Sequence, residues 1–366
     1  MPSAVLALVA EVTVRTLITL SDSLNVNSYT ALCQKVLGNR SAFLLCACAT
    51  AFDFGSAWAY IAASLELTQL HLYTSRLTSR AIAAMVLVSL LAVTKDPMRL
   101  SVLTGVATVI VLLAMGFTLV SAASLPPMVT SVSWVTPRTV DAFAVLAFSF
   151  MYHEAIFAFR DTAPSTQHFL HSNCLGLLVA TVLMVTWGTL CALLFPVAEN
   201  VLLSPALQRL PWLSLGVRGV VAVCYMSVAV MMSYFTREYA YALVHLPDME
   251  TNLPLPTNAH MLSTFAIGAA LFLATLLPVS ATAVIDLVGL VTGVLLGMVF
   301  PVLIYVRAKS IKWARALQYF SLSMTSIIAL VGFVFGTMLW VHQYLLHNNS
   351  AMNESAGISI PETSEG

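Results

Sequence analysis

Charged residues are scarce in this sequence. Asp, Glu, Lys and Arg together make up 9% of the 366 residues, whereas a soluble domain carries about 25%. Hydrophobic residues make up 59% of the chain, and the mean hydropathy is +0.91. This composition excludes a water-soluble fold and indicates an integral membrane protein with several spans. The formal net charge is zero, which gives no indication of a nucleic-acid partner.

Motifs that would indicate other classes of protein are also missing. The sequence has no G-x-x-x-x-G-K-[ST] run, which argues against an ATP-driven pump. It has no G-x-S-G serine elbow and no G-x-G-D aspartate motif, so we do not expect an enzyme. His153-Glu154 would begin an H-E-x-x-H zinc motif, but Phe157 occupies the second histidine position. The six cysteines lie in or near apolar stretches, so no disulfide framework is expected. We predict neither a metal ion nor a cofactor.

Ten apolar segments are candidates for membrane-spanning helices. A span needs about 20 apolar residues, with a usable range of about 17–25. The run lengths and the lack of alternation favour helices over strands. The predicted spans are Ala4–Leu20, Ala42–Leu70, Ala81–Thr94, Leu100–Leu125, Val140–Phe159, Phe169–Phe195, Leu215–Val244, Ala259–Pro278, Ala281–Val306 and Tyr319–Leu346. We therefore predict an all-α polytopic membrane protein with one transmembrane domain, residues 1–346, and a polar tail, residues 347–366.

The distribution of Lys and Arg predicts the orientation of the chain. The loops after the odd-numbered spans hold ten basic residues, Arg160 and Arg237 among them, and the opposite loops hold five. Basic residues concentrate in cytoplasmic loops. The first set is therefore placed in the cytoplasm.

The fifth predicted span carries two ionisable residues side by side, His153 and Glu154. An isolated charge at the bilayer centre costs about 2.5–3.5 kcal/mol on insertion scales, so the pair is expected to face protein or water. We predict that Glu154 takes up a proton and releases it towards the cytoplasm. We predict that His153, whose side chain titrates near neutral pH when unperturbed, belongs to a substrate site. The alternative is a buried pair hydrogen-bonded to the backbone, with no role in transport.

Three residues just before this pair complete the predicted substrate site: Phe148, Ser149 and Phe150. The aromatic side chains either gate a pocket or simply face lipid and core. Asp53, in the middle of the second span, is the second candidate for proton coupling; the alternative is a polar contact between helices.

Hydroxyl groups on the seventh span suggest a possible cation site. Ser227 and Ser233 would bind the cation if the protein is coupled to sodium. Alternatively, these hydroxyls bond to their own backbone, as is common in membrane helices. In the first span, Glu11 and Arg15 are four residues apart and are expected to neutralise each other.

Three stretches resemble motifs of the amino acid/auxin permease family. Residues 28–32 (SYTAL), followed by Leu37-Gly38, resemble the S-Y-x-x-L…G loop after its second helix. Residues 148–160 (FSFMYHEAIFAFR) resemble the F-x-x-H-[EP] run of its sixth helix. Residues 278–306, with apolar-Gly repeats before Phe300-Pro301, resemble its tenth helix.

This resemblance covers about residues 4–345 and implies the inverted-repeat fold of the amino acid–polyamine–cation superfamily. In that fold, substrate binds near the midplane where the first helix of each repeat is broken. The fifth span contains no Gly or Pro, so a break there follows from the resemblance alone. The ten spans would be helices two to eleven, with the glycine-rich first helix lacking.

The resemblance implies a secondary active transporter of amino acids in the lipid bilayer, coupled to H⁺ or Na⁺. It would lie in the plasma membrane or in the membrane of an acidic organelle, and it would have no nucleic-acid partner. The missing first helix favours an alternative, a truncated and transport-deficient relative or a nutrient sensor that retains the fold.

Overall fold

A computed structural model describes residues 2–68, 75–93, 97–122, 141–194, 211–245, 257–277 and 279–308. Within these ranges every regular element is a helix. In chain order the elements are α1 (Pro2–Leu24), α2 (Tyr29–Leu37), α3 (Asn39–Thr68), α4 (Arg76–Val93), α5 (Pro97–Ala122), α6 (Asp141–Phe150), α7 (Ile156–Thr162), α8 (Thr166–Leu194), α9 (Pro211–Val244), α10 (Thr257–Leu276), α11 (Ala281–Val288), two π-helical segments (Gly289–Gly293 and Leu295–Val299) and α12 (Phe300–Ala308).

Six stretches of the described chain are long and apolar enough to cross a membrane: Ser3–Leu24, Asn39–Thr68, Thr166–Leu190, Leu215–Val244, Thr257–Leu276 and Ala281–Ala308. Nine of the ten predicted spans fall on described helices, with ends that differ by a few residues. The tenth, Tyr319–Leu346, and the predicted tail lie outside the described residues. The count of ten spans and the inverted repeat therefore stay predictions.

The helix α3 lies at the centre of the packing, against α9 on one side and α11 on another. Its contact with α11 is close because Gly55 has no side chain. A Cβ atom added at Gly55 would overlap Cγ2 of Val288. The centre of the fold is thus built from apolar and small residues, while apolar side chains such as Leu178 and Leu262 remain exposed on the outer face, as lipid contact requires.

The fifth predicted span is not one continuous helix. Helix α6 ends at Phe150, α7 begins at Ile156, and Met151–Ala155 between them is non-helical. We refer to Met151–Ala155 as the break. The structure therefore contains the interruption that the family resemblance implied, although no Gly or Pro marks it in the sequence.

The ninth predicted span is also irregular, because two π-helical segments separate α11 from α12. Such wide turns are frequent at functional sites. Here the carbonyl of Leu296 accepts a 2.7 Å hydrogen bond from the Tyr29 hydroxyl. Two glycines allow the segments to approach their neighbours: a Cβ at Gly293 would lie 3.3 Å from the Phe52 ring, and one at Gly297 would overlap Met151 Sδ.

One residue used for the predicted orientation is wrongly placed in a loop. Arg237 lies inside α9, seven residues before its end at Val244, and its side chain is only 1% exposed. Its Nη1 donates a 3.2 Å hydrogen bond to Thr264 Oγ1 on α10, and its guanidinium lies 5.0 Å from the Tyr234 ring centroid. Arg237 therefore joins helices, and a count of basic loop residues must exclude it.

Candidate functional site

The break buries two ionisable side chains that lipid would not accommodate. His153 is 0% exposed and Glu154 5% exposed. Asp53, on the adjoining helix α3, is also 0% exposed. The three residues are therefore interior groups, as expected for polar residues within a membrane domain.

Most polar atoms of this cluster lack a partner. Among the described residues, neither Asp53 oxygen accepts a hydrogen bond, nor does Glu154 Oε2, and His153 Nδ1 is also unpartnered. Buried polar atoms are normally hydrogen-bonded, so unsatisfied ones call for an explanation. Each carboxyl oxygen of this set could accept a hydrogen bond from a further donor.

The carboxyl groups of Asp53 and Glu154 are close enough to interact electrostatically, and the Tyr239 hydroxyl on α9 lies near both. The residues that come before the two acids in sequence also lie close together, since Phe52 and Met151 both flank Gly293. Helix α3 and the non-helical break, whose residues Asp53 and Glu154 are 101 positions apart in sequence, thus bring one carboxyl group each to the same interior region.

Residues of other helices form hydrogen bonds with polar groups of the break. Tyr239 donates a 2.7 Å hydrogen bond to the backbone carbonyl of Glu154. The His153 Nε2 atom lies 2.6 Å from Thr13 Oγ1 on α1. Because an interrupted helix loses backbone hydrogen bonds, such partners from neighbouring helices stabilise the interruption.

A row of aromatic rings extends from the end of α6, next to the break, across α3 to α9. The Phe148 ring lies 5.6 Å from that of Phe52 and 6.1 Å from that of Tyr60. Tyr60 in turn contacts Tyr225 with a centroid distance of 5.6 Å. These rings form a continuous aromatic wall between α6, α3 and α9.

The three residues predicted next to His153 face different surroundings. Phe148 is half-buried in the aromatic wall, and Phe150 is buried in a separate apolar cluster that includes Leu6 and Met298. Ser149 is exposed and donates a 2.8 Å hydrogen bond to the Val145 carbonyl. The structure thus brings Phe148 towards Asp53's helix and directs Ser149 outward. Their roles in binding stay predictions.

The two serines predicted for a cation site each donate a hydrogen bond within α9. Ser227 Oγ donates to the Val223 carbonyl at 3.1 Å, and Ser233 Oγ donates to the Ala229 carbonyl at 2.8 Å. They are six positions apart in sequence, which places them about 120° apart around the helix. Each oxygen keeps lone pairs, but one small ion would not contact both. Within the described residues, no group of three His, Cys, Asp or Glu side chains is arranged to hold a metal ion.

The predicted pairing of Glu11 with Arg15 is confirmed, since Arg15 Nε contacts Glu11 Oε1. The pair extends further than the sequence indicated. Asn173 Nδ2 on α8 donates to Glu11 Oε2 at 2.7 Å, and Tyr152 in the break donates to Asn173 Oδ1 at 2.7 Å.

Sequence reasoning missed several residues that contact the break, above all Thr13, Tyr239 and Asn173. Each is a polar residue in an apolar helix, which is the signal that could have found them. Their hydroxyl and amide groups carry no charge, so they stand out less against the background than Asp53 and Glu154 do.

An interior polar cluster at the interruption of a helix, enclosed by long apolar helices, defines an integral multi-pass membrane protein with an internal polar site. Residues 2–345 match the family described as transmembrane amino acid transporter protein. The chain belongs to this family, and membership implies an amino acid transporter. No curated protein matches the chain.

Proposed function

We propose that this protein is a secondary active transporter that binds its amino acid at the break, near the membrane midplane, and couples its movement to protons through Asp53 and Glu154. The observation that supports this proposal is the buried carboxyl pair: three of its four oxygens have no hydrogen-bond partner within the described part of the chain.

The chemistry of the pair favours a cationic partner. Burying an ionised carboxyl group without a partner is costly, and two such groups in one region repel each other. A proton that binds to one carboxylate removes its charge. An ammonium group or a sodium ion would neutralise the charge of the other. A pair that binds a proton on one side of the membrane and releases it on the other is suited to coupling.

The substrate would lie against the residues of the break. The carboxyl pair offers acceptors, and so does His153 Nδ1 when the ring carries its proton on Nε2, which suits the ammonium group of an amino acid. Phe148 would contribute an apolar wall, together with Phe52 and Tyr60. Ser149 and Phe150 complete the proposed set on the flanking turn of α6.

Sodium is the second candidate for the coupling ion. Ser227 and Ser233 both lie at buried positions of α9, and because they point in different directions, one of them alone would contribute a lone pair to the ion; Ser233, which is 0% exposed, is the better placed of the two. If sodium drives uptake, replacing it with choline abolishes accumulation, and Ser233→Ala weakens its dependence on sodium.

Uptake into proteoliposomes tests the proposal. Purified protein is supplied with a panel of labelled amino acids, with and without an inward proton gradient. We expect gradient-driven accumulation of at least one amino acid, and its loss in Glu154→Gln and Asp53→Asn. The matched control is Glu66→Gln, because Glu66 is an exposed acid on the same helix as Asp53.

Two outcomes would contradict the proposal. Unchanged proton-driven uptake in both variants would remove the carboxyl pair from the mechanism. Binding of an amino acid without any uptake would favour the alternative, a sensor that retains the fold.

A further inference from the structure

We infer that α1 and α8 position two residues of the break. Thr13 on α1 determines which nitrogen of His153 carries the proton, and Glu11 on α1 holds Tyr152 in place through Asn173 on α8. This inference rests on the proposed function, because it assigns positioning residues to the same site. Thr13, Glu11 and Asn173 are not expected to touch the substrate.

The Thr13 hydroxyl has one proton and several neighbours. Its oxygen lies 2.8 Å from the Val9 carbonyl and 3.0 Å from the Ala10 carbonyl, one turn earlier in α1. A carbonyl oxygen only accepts, so the hydroxyl proton points to one of these two. Were it directed elsewhere, the lone pairs of Thr13 Oγ1 and of the Val9 carbonyl would face each other at 2.8 Å with no proton between these two oxygens.

This assignment fixes the state of His153. Because the Thr13 proton goes to the backbone, the 2.6 Å contact requires His153 Nε2 to donate and Thr13 Oγ1 to accept. A neutral imidazole that carries its proton on Nε2 has a lone pair on Nδ1. Nδ1 is the atom left without a partner among the described residues, and it lies beside Gly297, where an added Cβ would be 3.1 Å away.

Thr13 thereby leaves Nδ1 of His153 as a buried hydrogen-bond acceptor. The other unpartnered atoms of the site are carboxyl oxygens, so all of them then call for a donor. The opposite tautomer would place an unsatisfied N–H group there instead, which would oppose an ammonium group or a sodium ion.

The neighbouring residue Tyr152 is held by a chain of hydrogen bonds with only one consistent direction. Arg15 donates to one oxygen of Glu11, and Asn173 Nδ2 donates to the other at 2.7 Å. The amide of Asn173 must therefore turn its oxygen towards Tyr152, whose hydroxyl donates to it at 2.7 Å. Glu11 acts on the break through Asn173 and is satisfied on both oxygens.

The two halves of this arrangement meet in the break, since Tyr152 and His153 are consecutive and their rings lie 5.8 Å apart. Both are tied to α1, one directly and one through α8. A shift of α1 relative to the break would therefore disturb both residues together, which identifies α1 as the element that sets their geometry.

The Thr13 part is tested without transport, by ¹⁵N NMR of the histidine-labelled protein in lipid. The resonances of His153, one of eight histidines, are identified by their loss in His153→Gln. We expect a protonated Nε2 and an unprotonated Nδ1 in the wild type and in Thr13→Ser. Thr13→Val, which is similar in shape but lacks the hydroxyl, should give a mixture of tautomers. A protonated Nδ1 in the wild type would overturn the assignment.

The Tyr152 part is tested by kinetics. Tyr152→Phe and Asn173→Leu should each raise KM for the transported amino acid about 3- to 10-fold with Vmax unchanged, because a smaller fraction of the protein then holds the break in its binding geometry. The double variant should be no worse than Asn173→Leu alone, because that substitution already removes both hydrogen bonds of the chain. The control is Ser172→Ala, an exposed neighbour on α8.

The NMR experiment and the kinetic experiment together distinguish failure of this inference from failure of the proposed function. If the wild type transports no amino acid, the proposed function fails, and the NMR result still decides the role of Thr13. If transport is intact but the effects of Tyr152→Phe and Asn173→Leu multiply in the double variant, the chain through Asn173 is wrong.

Discussion

The hydroxyl of Tyr239 donates a 2.7 Å hydrogen bond to the backbone carbonyl of Glu154. A residue of α9 thus supplies a hydrogen-bond donor to a main-chain carbonyl in the break between α6 and α7. The same hydroxyl lies near the side chains of Asp53 and Glu154. Tyr239 therefore stabilises the shape of the break and borders the carboxyl pair at the same time.

Replacing Tyr239 with Phe should destabilise the break. The Glu154 carbonyl would lose its partner, and an unsatisfied buried acceptor costs about 1–3 kcal/mol. We expect a lower midpoint of thermal unfolding in detergent and slower uptake. Tyr241→Phe, two residues further on α9, is the control, because the Tyr241 ring stacks on His245 and does not contact the break. Equal midpoints for the wild type and Tyr239→Phe would show that this hydrogen bond is not needed.

Replacing Tyr29 with Phe tests the irregular helix. The Tyr29 hydroxyl donates to the Leu296 carbonyl within a π-helical segment, and its ring stacks on Phe157 at 6.1 Å. Phe preserves the ring and removes only the hydrogen bond, so we expect a loss of about 0.5–1.5 kcal/mol. Hydrogen exchange of the amides in residues 289–299 should become faster, while exchange in α10 stays the same. Unchanged exchange in both would contradict a stabilising role for this contact.

The sequence was sufficient to predict the helical spans and the candidate acids, because both depend on local composition. A run such as that of α9 is apolar whatever surrounds it, and Asp53 and Glu154 stand out in any apolar helix. Apart from the break, the ends of the described spans were predicted to within a few residues for the same reason.

The sequence could not show which helices meet. The break between Phe150 and Ile156 contains no Gly or Pro, so its stability depends on Thr13 and Tyr239, which are distant in sequence. Similarly, Arg237 looked like a loop cation because charge is rare in spans, and only the packing of α9 against α10 reveals its partner Thr264. Contacts of this kind are set by tertiary structure.

Adding a methyl group at Gly55 should weaken the packing of α3 on α11. The new Cβ would overlap Val288, whose β-branched side chain has little freedom to rotate away. Overpacking of this kind costs about 1–3 kcal/mol, so Gly55→Ala should lower the unfolding midpoint. The matched control is Gly105→Ala in α5, where a Cβ meets nothing within 4 Å. Because Ala favours the helix over Gly by about 1 kcal/mol, the control should be neutral or stabilising, and a similar loss in both variants would contradict the close contact.

Arg160 joins the end of α7 to the end of α1, and its replacement should loosen that junction. Its Nη1 donates to Ser21 Oγ at 2.5 Å and lies 3.3 Å from Asp22 Oδ1, while Nη2 donates to Asn27 Oδ1 at 3.2 Å. These partners require the planar fork of a guanidinium, which the single ammonium of Lys does not reproduce. We expect Arg160→Ala to destabilise the protein by about 1–3 kcal/mol and Arg160→Lys to recover only part of the loss.

Salt separates the two kinds of contact that Arg160 makes. The carboxylate of Asp22 is 42% exposed, so its attraction to Arg160 is screened at high ionic strength, whereas the hydrogen bonds to Ser21 and Asn27 are not. The stability difference between the wild type and Arg160→Ala should therefore shrink in about 1 M salt without vanishing. Arg40→Ala, at an exposed position in the first turn of α3, serves as the control. A difference that disappears completely in salt would show that the junction is held by charge alone, and no difference at any salt concentration would show that Arg160 does not hold it.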